Sequence, residues 1–242
     1  MRLTSPTSLD GVTEQLFTLG EIPGVLWTPD GAPGPRPLIL IGHGGGQHKK
    51  APGVVARARR FAGAGFAVAA IDVPGHGDRP KGAEFGRIAA EIRARVTAGA
   101  DPAAAVQAMH DLVAGPAVAE WQQVLTAIQQ SGQAEAGRAG YWGVSMGGAI
   151  GVPLAAAEPR IRAAVLGLLG SPGLAGTAAR ITVPVQFLVQ WDDEQVPRAQ
   201  SLALFDAFGS AEKTLHANPG PHADLPRFET DSALRFFARH LG

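Results

Sequence analysis

The chain has 242 residues, of which 45% are hydrophobic and 17% charged, a length and balance typical of one globular domain with a large buried core. The 21 basic residues balance the 21 acidic ones, so the composition indicates neither a nucleic-acid partner nor an anionic membrane. There is no cysteine, which excludes disulfides, thiolate metal sites and a cysteine nucleophile.

The N-terminal segment MRLTSPTSLDGVTEQ lacks the apolar core of a signal peptide. No apolar run approaches the roughly 20 residues that a membrane-spanning helix needs. We therefore expect a cytoplasmic protein with no membrane partner, and a homodimer remains open as its assembly.

The first elements predicted along the chain are two short strands, 12–19 and 22–28, joined as an antiparallel hairpin. Continuous apolar runs predict buried strands at 38–42 and 67–71, with a helix between them that Gly65 ends. Further strands are predicted in AGYWGV, RAAVLGLL, VPVQFLVQW and EKTLHAN, alternating with helices in SMGGAIGVPLAAAE, RAQSLALFDAFG and RFETDSALRFFARHL. This alternation predicts an α/β fold, a mainly parallel twisted sheet with helices on both faces, in a single domain 1–242.

One region, 79–115, is longer than a crossover between strands requires. It contains the predicted helices EFGRIAAEIRARV and DPAAAVQAMHDLV, the second beginning with Asp101 as N-cap before a proline. A separate helix over 118–130 is the predicted crossover. We interpret 79–115 as a small helical insertion over the carboxyl edge of the sheet, where it forms a lid; the alternative is a set of surface helices with no role at the site.

Candidate catalytic side chains follow the predicted strands at their carboxyl ends, where open α/β sheets bind ligands. The segment GVSMG, 143–147, fits the G-x-S-x-G nucleophile elbow, in which a serine on a strained strand-to-helix turn projects its hydroxyl out of the sheet. The flanking glycines lack a Cβ that would strike neighbouring backbone. Ser145, with a predicted strand before it and a predicted helix after it, is the candidate nucleophile.

A serine hydroxyl is a weak nucleophile and needs a base. His222 lies on the Gly/Pro-rich loop NPGPHAD after the last strand and is the preferred base, with His76 as the alternative. The orienting acid is expected between the serine and the histidine in the chain. The segment QWDDEQVP supplies the candidate acids Asp192, Asp193 and Glu194.

Acyl transfer also needs hydrogen-bond donors for the developing oxyanion. The N–H of Met146 is one, and the GHGGG run supplies a second from Gly45, with Gly44 as second choice. Asp72 is interpreted as a turn residue that accepts bonds from its own backbone. The candidates for the substrate pocket are His43, His76 and Trp191.

Five segments follow one another in the order found in α/β-hydrolases: LILIGHGGG, AVAAIDVPGHGD, YWGVSMGGAI, FLVQWDDEQVP and NPGPHADLP. The chain most resembles the dienelactone-hydrolase-like branch of serine esterases. The resemblance implies an α/β-hydrolase fold and favours Asp193 as the acid, because it stands in the D-x-x-V-P pattern usual at this position. It implies no metal and no cofactor. Dienelactone hydrolase itself uses cysteine where this chain has Ser145.

The function expected is a serine hydrolase that cleaves small to medium carboxylic esters through an acyl-enzyme. Thioester, lactone and amide or peptide hydrolysis by the same triad are alternatives, and a non-catalytic ligand receptor on this fold is a further one. Arg79 and Lys81 are interpreted as solvated loop residues, the alternative being that they contact an acidic substrate. No charged residue marks substrate specificity in the sequence, so an uncharged small-molecule ester is the expected partner.

Overall fold

The structure, a computed structural model, describes residues 1–31, 34–170 and 172–242. The strands are β1 (Arg2–Leu3), β2 (Thr7–Leu9), β3 (Val12–Leu19), β4 (Ile22–Pro29), β5 (Arg36–Gly42), β6 (Ala67–Ile71), β7 (Ala134–Val144), β8 (Ile161–Gly167), β9 (Val185–Gln190) and β10 (Lys213–Asn218). The helices are α1 (Pro52–Ala62), α2 (Ala83–Thr97), α3 (Ala103–Gln130), α4 (Met146–Ala157), α5 (Ala175–Ala178), α6 (Arg198–Ala207) and α7 (Phe228–Leu241), with a 3-10 turn at Pro172–Leu174.

These ten strands form one sheet in the order β1-β3-β4-β6-β5-β7-β8-β9-β10, with β2 paired to the free part of β3. Every neighbouring pair from β6 to β10 is parallel, whereas β4 joins β6 and β3 in antiparallel fashion. The β3–β4 hairpin pairs Leu19 with Ile22 at its turn. The predicted hairpin and the predicted mainly parallel sheet are both confirmed.

Helices cover both faces of the sheet. Successive side chains of a strand point to opposite faces, so each central strand packs against helices on both sides. Leu38 and Leu40 of β5 belong to the apolar cluster beneath α2, α3, α4, α5 and α6, whereas Ile39 and Ile41 belong to the cluster beneath α1 and α7. All four are fully buried. A strand covered on both faces must be apolar throughout, which is why the central strands appear in the sequence as unbroken apolar runs.

The region predicted as an insertion contains α2 and the first half of α3. The predicted break between a helix ending near residue 113 and a crossover beginning at residue 118 is wrong, because α3 runs without interruption through Pro116. The helix begins at Ala103 with Pro102 at the N-cap position, so the predicted N-cap Asp101 lies one residue before it. The Asp101 carboxylate accepts the N–H of Ala103 at 2.9 Å. Pro116 is exposed, while the buried face of the helix continues past it at Met109, Val113, Ala117, Trp121 and Val124. Burial along that face outweighs the roughly 3 kcal/mol that an interior proline costs.

A buried ion pair ties the loop after β5 to the loop after β6. Lys49 Nζ lies 2.6 Å from Asp72 Oδ2 and 2.5 Å from Asp78 Oδ2, and the N–H of Lys49 donates to Asp72 Oδ1 at 2.7 Å. The Asp72 side chain is fully buried and that of Lys49 is 8% exposed. Burial opposes both charges, but the hydrogen bonds outweigh it, so the pKa of Asp72 lies below its usual range and the pKa of Lys49 lies above its own. This pair fixes the end of the glycine loop 43–46.

None of the helices within the described residues is long and apolar enough to cross a lipid bilayer.

Replacing Pro116 with alanine is expected to stabilise the protein. Alanine restores a backbone hydrogen bond in α3, and this gain exceeds the loss of proline's restriction on the unfolded chain. We therefore expect the free energy of unfolding to rise by about 1–2 kcal/mol. Urea unfolding measures it, with Gly115→Ala as a matched helix control expected to gain about 0.5–1 kcal/mol. A lower stability of Pro116→Ala would contradict a continuous α3.

Lys49→Met is expected to lower the free energy of unfolding at pH 7 by about 3–5 kcal/mol, because it leaves the Asp72 carboxylate buried without its cation. The folded pKa of Asp72 lies below its unfolded value of about 3.9, so the pair stabilises the wild type above that pH and the contribution is lost as the pH falls through the folded pKa. The deficit of Lys49→Met should therefore shrink below about pH 4.

Urea titrations at pH 7 and pH 3.5 measure this dependence. Lys50→Met is the control, since Lys50 pairs with Glu14 at the surface, where an ion pair contributes less than about 1 kcal/mol. Equal losses in the two variants would show that the Lys49–Asp72 pair does not hold the loops.

Candidate active site

Ser145 occupies a sharp turn between β7 and α4. Its backbone has φ 55° and ψ −126°, a strained conformation for a residue with a side chain. The turn is crowded: a Cβ on Gly143 would lie 2.5 Å from the carbonyl oxygen of Gly147, and a Cβ on Gly147 would lie 2.7 Å from that of Gly42. The sequence therefore requires glycine at these positions, and the serine hydroxyl is presented at the carboxyl edge of the sheet.

His222 joins Ser145 to Asp193 in one hydrogen-bonded line. His222 Nε2 lies 3.0 Å from Ser145 Oγ, and His222 Nδ1 lies 2.8 Å from Asp193 Oδ2. The two supporting side chains are 11% and 4% exposed. With the Nδ1 proton donated to Asp193, Nε2 is free to accept the proton of the serine hydroxyl.

Asp193 is held by its own turn. Its Oδ1 accepts the backbone N–H groups of Gln195 at 2.8 Å and Val196 at 2.9 Å. Burial raises the pKa of Asp193, but the hydrogen bonds from His222 and from these N–H groups outweigh it, so the pKa lies below the usual range. Asp192 is exposed and accepts the N–H of Gly220 at 3.1 Å. Of the two aspartates, the structure brings Asp193 to the histidine.

Two further polar side chains hold the loop that carries His222. The side-chain amide of Gln190, at the end of β9, donates to three backbone carbonyls of residues 219–224 at 3.0–3.4 Å. Glu194 Oε2 accepts the backbone N–H of His222 at 2.9 Å. Neither role was predicted: Glu194 was a candidate acid, and the only signal for Gln190 was its position as a lone glutamine that closes an apolar strand.

His43 and His76 lie side by side in the wall of the site, with ring centroids 5.2 Å apart. His43 Nδ1 lies 2.9 Å from the carbonyl oxygen of Gly44, and His43 Nε2 lies 3.4 Å from the backbone nitrogen of Val73. Burial lowers the pKa of His43 to about 4, and burial also lowers the pKa of His76. Both rings are thus neutral at pH 7, and His43 braces the glycine loop against the loop after β6.

Trp191 was predicted for the pocket, but it is not among the described residues that line the cavity. Its side chain lies at the surface, 41% exposed, because Arg198 stacks over its ring at 3.9 Å and bonds its carbonyl oxygen. Arg79, in contrast, is half-buried and forms a bidentate ion pair with Glu120. The prediction that Arg79 is a solvated loop residue is therefore wrong.

A cavity of about 800 Å³ opens over the serine hydroxyl. Gly44, Gly45 and Met146 line it together with Ser145 and His222. Its apolar wall comes from α2, α3 and the loop before α7, at Phe85, Ala89, Ile92, Met109 and Leu225. The helices of the region 79–115 therefore form one side of this cavity, and α1 contributes to the other.

This geometry can support acyl transfer. A hydroxyl nucleophile, an imidazole base and a carboxylate lie in sequence, and the free N–H groups at the start of α4 lie beside the glycine loop. The cavity supplies room for an organic substrate of moderate size.

Comparisons with known proteins agree with this chemistry. The model of the dienelactone hydrolase family matches residues 22–221. A cold-adapted esterase from an Arctic intertidal metagenomic library, in its PEG-bound complex, is 33% identical, with a TM-score of 0.80 and 100% of both chains covered. No curated protein sequence matches the chain.

Two more distant structures share the fold. An acetyl xylan esterase from Paenibacillus sp. R4 is 17% identical, with a TM-score of 0.72 over 99% of this chain and 88% of the other. A putative dienelactone hydrolase from Klebsiella pneumoniae is 17% identical, with a TM-score of 0.71 over 96% of this chain and 100% of the other. The α/β-hydrolase architecture predicted from the sequence is confirmed, and the chain belongs to the dienelactone hydrolase family and is a carboxylic ester hydrolase.

Proposed function

We propose that the protein is a serine esterase that cleaves esters of small to medium acyl or alcohol groups through an acyl-enzyme on Ser145. The observation that supports this most directly is the line from Ser145 Oγ through His222 to Asp193, with hydrogen-bonding distances of 3.0 and 2.8 Å. Ser145 and His222 line a cavity that is large enough for such a substrate.

In the first step His222 Nε2 takes the proton of the Ser145 hydroxyl as the oxygen attacks the ester carbonyl. Asp193 keeps the imidazole in the tautomer that can accept this proton, and its carboxylate stabilises the imidazolium that forms. The N–H groups of Met146 and Gly45, with Gly44 as the alternative, bind the oxyanion. The imidazolium then protonates the leaving alkoxide, which departs as an alcohol.

In the second step a water molecule repeats the sequence on the acyl-enzyme. His222 takes a proton from the water, the hydroxide attacks the acyl carbon, and Ser145 leaves with the proton returned by the imidazolium. The products are the carboxylic acid and the free serine. The proposed lid, α2 with the first half of α3, would shield the acyl-enzyme from bulk solvent.

Ser145→Ala is expected to abolish hydrolysis of p-nitrophenyl esters, lowering kcat by at least about 10³-fold, because no other nucleophile of the described residues lies at the acceptor nitrogen of the base. The wild type is assayed from the acetate to the laurate ester, and the optimum chain length measures the usable depth of the cavity. Ser131→Ala, at an exposed serine beyond α3, is the matched control and should retain wild-type rates. Activity that survives Ser145→Ala would refute the acyl-enzyme mechanism.

Asp193→Asn is expected to lower kcat by about 10²–10⁴-fold, because the amide cannot hold the imidazole in the productive tautomer. Asp192→Asn is the matched variant at the adjacent position, and we expect its kcat to stay within about threefold of the wild type, since an amide oxygen can still accept the bond from Gly220. A larger loss in Asp192→Asn than in Asp193→Asn would transfer the orienting role to Asp192.

A further inference from the structure

Arg57 of α1 lies in the wall of the cavity that contains Ser145. The guanidinium carbon stands 3.9 Å from the centre of the Trp142 ring, and Nη1 donates to the carbonyl oxygen of Gly53 at 2.9 Å. The Nε atom is buried and has no hydrogen-bond partner among the described residues. The group is therefore fixed in orientation by a ring and one carbonyl, with part of its donor capacity unused.

No carboxylate of the described chain forms an ion pair with Arg57. Arg79 and Arg160, which are also half-buried, pair with Glu120 at 2.9 Å and with Glu158 at 2.7 Å. Arg36 and Arg59 resemble Arg57 in having a buried Nε without a partner among the described residues, but neither of them lines the cavity. Burial lowers the pKa of Arg57 to about 10, a value at which the group is still cationic at pH 7. A partly buried cation without a counter-ion is unfavourable in the free protein, and an anionic ligand would relieve that cost.

The cavity as a whole favours a negative ligand. None of the described lining residues is an aspartate or a glutamate, whereas Lys81 and Arg93 line it in addition to Arg57. Lys81 and Arg93 are exposed, so water and salt screen them. Arg57 is the lining cation that is partly buried and rigidly stacked, and it is therefore the one suited to direct binding.

The stacking ring connects this cation to the reacting centre. Trp142 lies in β7 three residues before Ser145, and both residues line the same cavity. A substrate whose carbonyl sits at the serine hydroxyl can therefore extend a chain along this wall toward the guanidinium. The planar donors of arginine match the two oxygens of a carboxylate.

We propose that Arg57 and the Trp142 ring form a subsite for a carboxylate of the substrate, so that the ester cleaved carries a free carboxylate several bonds from the scissile carbonyl. This inference rests on the proposed function of Ser145. It replaces the expectation, drawn from the sequence, of an uncharged substrate.

The test compares mono-p-nitrophenyl esters of succinate, glutarate and adipate with the same compounds in which the distal carboxylate is capped as a methyl ester. Enzyme-dependent release of p-nitrophenol gives kcat/KM for each ester, after subtraction of the enzyme-free release that intramolecular attack by the free carboxylate causes. The ratio of the anionic to the capped ester then reports recognition of the charge. We expect the wild-type ratio to exceed 1 for at least one chain length. Arg57→Gln should reduce that ratio by about 10- to 100-fold, the range expected for a hydrogen bond to a charged group.

Two more variants separate the subsite from a general effect of charge. Arg57→Lys keeps the cation without the planar fork and should retain an intermediate ratio. Arg87→Gln removes the same charge from α2 outside the cavity lining and should leave the ratio at the wild-type value. Adding 0.5 M salt should preserve most of the wild-type preference, because the ion pair is partly buried.

The outcomes distinguish the subsite from the catalytic proposal. A wild-type ratio at or below 1 for all three lengths, with hydrolysis of the capped esters that Ser145→Ala abolishes, would overturn the subsite and leave the serine esterase standing. Equal losses on both members of a pair in Arg57→Gln would assign Arg57 a structural role and also overturn it. If the wild type hydrolyses neither the anionic nor the capped esters, the proposed function is overturned, and the subsite with it.

Discussion

The close approach of three backbone segments beneath Ser145 is the constraint on which the site depends. The end of β5, the end of β7 and the first turn of α4 meet at Gly42, Gly143 and Gly147, where any side chain would collide with a carbonyl or with Tyr141. The buried Tyr141 hydroxyl donates to the carbonyl oxygen of Gly147 at 2.7 Å and fills the space that these glycines leave. The strained serine persists because this packing leaves it no alternative conformation. The positions of the glycine loop and of α4 relative to the hydroxyl follow from the same contact.

Loops carry the remaining groups, and polar side chains, of which Lys49, Asp72 and Gln190 are buried and Glu194 is exposed, hold each of those loops. Lys49 and Asp72 connect the glycine loop to the loop after β6, and Gln190 and Glu194 bind the backbone around His222. Loops lack the regular hydrogen bonds of strands and helices, so their buried backbone groups need side-chain partners. The same contacts that satisfy those groups reduce the freedom of the reacting side chains, which favours a preorganised site.

The sequence predicted the elements well where a local pattern sets the structure, and the candidates Ser145, His222 and Asp193 lie together in the structure. The strands β3 and β4, the mainly parallel sheet and the turn at Ser145 follow from alternation, apolar runs and glycine spacing. The sequence failed where tertiary contacts decide. Two separate helices were predicted where burial along α3 maintains one continuous helix through Pro116. Trp191 was placed in the pocket although Arg198 holds its ring at the surface.

Lys49, Gln190 and Arg57 were missed for a common reason: each is a lone polar residue whose partner lies far away in the chain or is a ring. No local periodicity marks such a residue. Their positions become evident only when the distances between loops, strand ends and α1 are known.

The electrostatics of the cavity follow from how its histidines are buried. Burial lowers the pKa of His43, His76 and His110, so these three rings contribute no charge near pH 7. Arg57 remains charged up to about its pKa of 10. The positive charge of Arg57 therefore stays constant between about pH 6 and pH 8. Recognition of a carboxylate by Arg57 is thereby separated from the proton transfers of the triad, and one cavity can hold a fixed cation for binding and a mobile proton for chemistry.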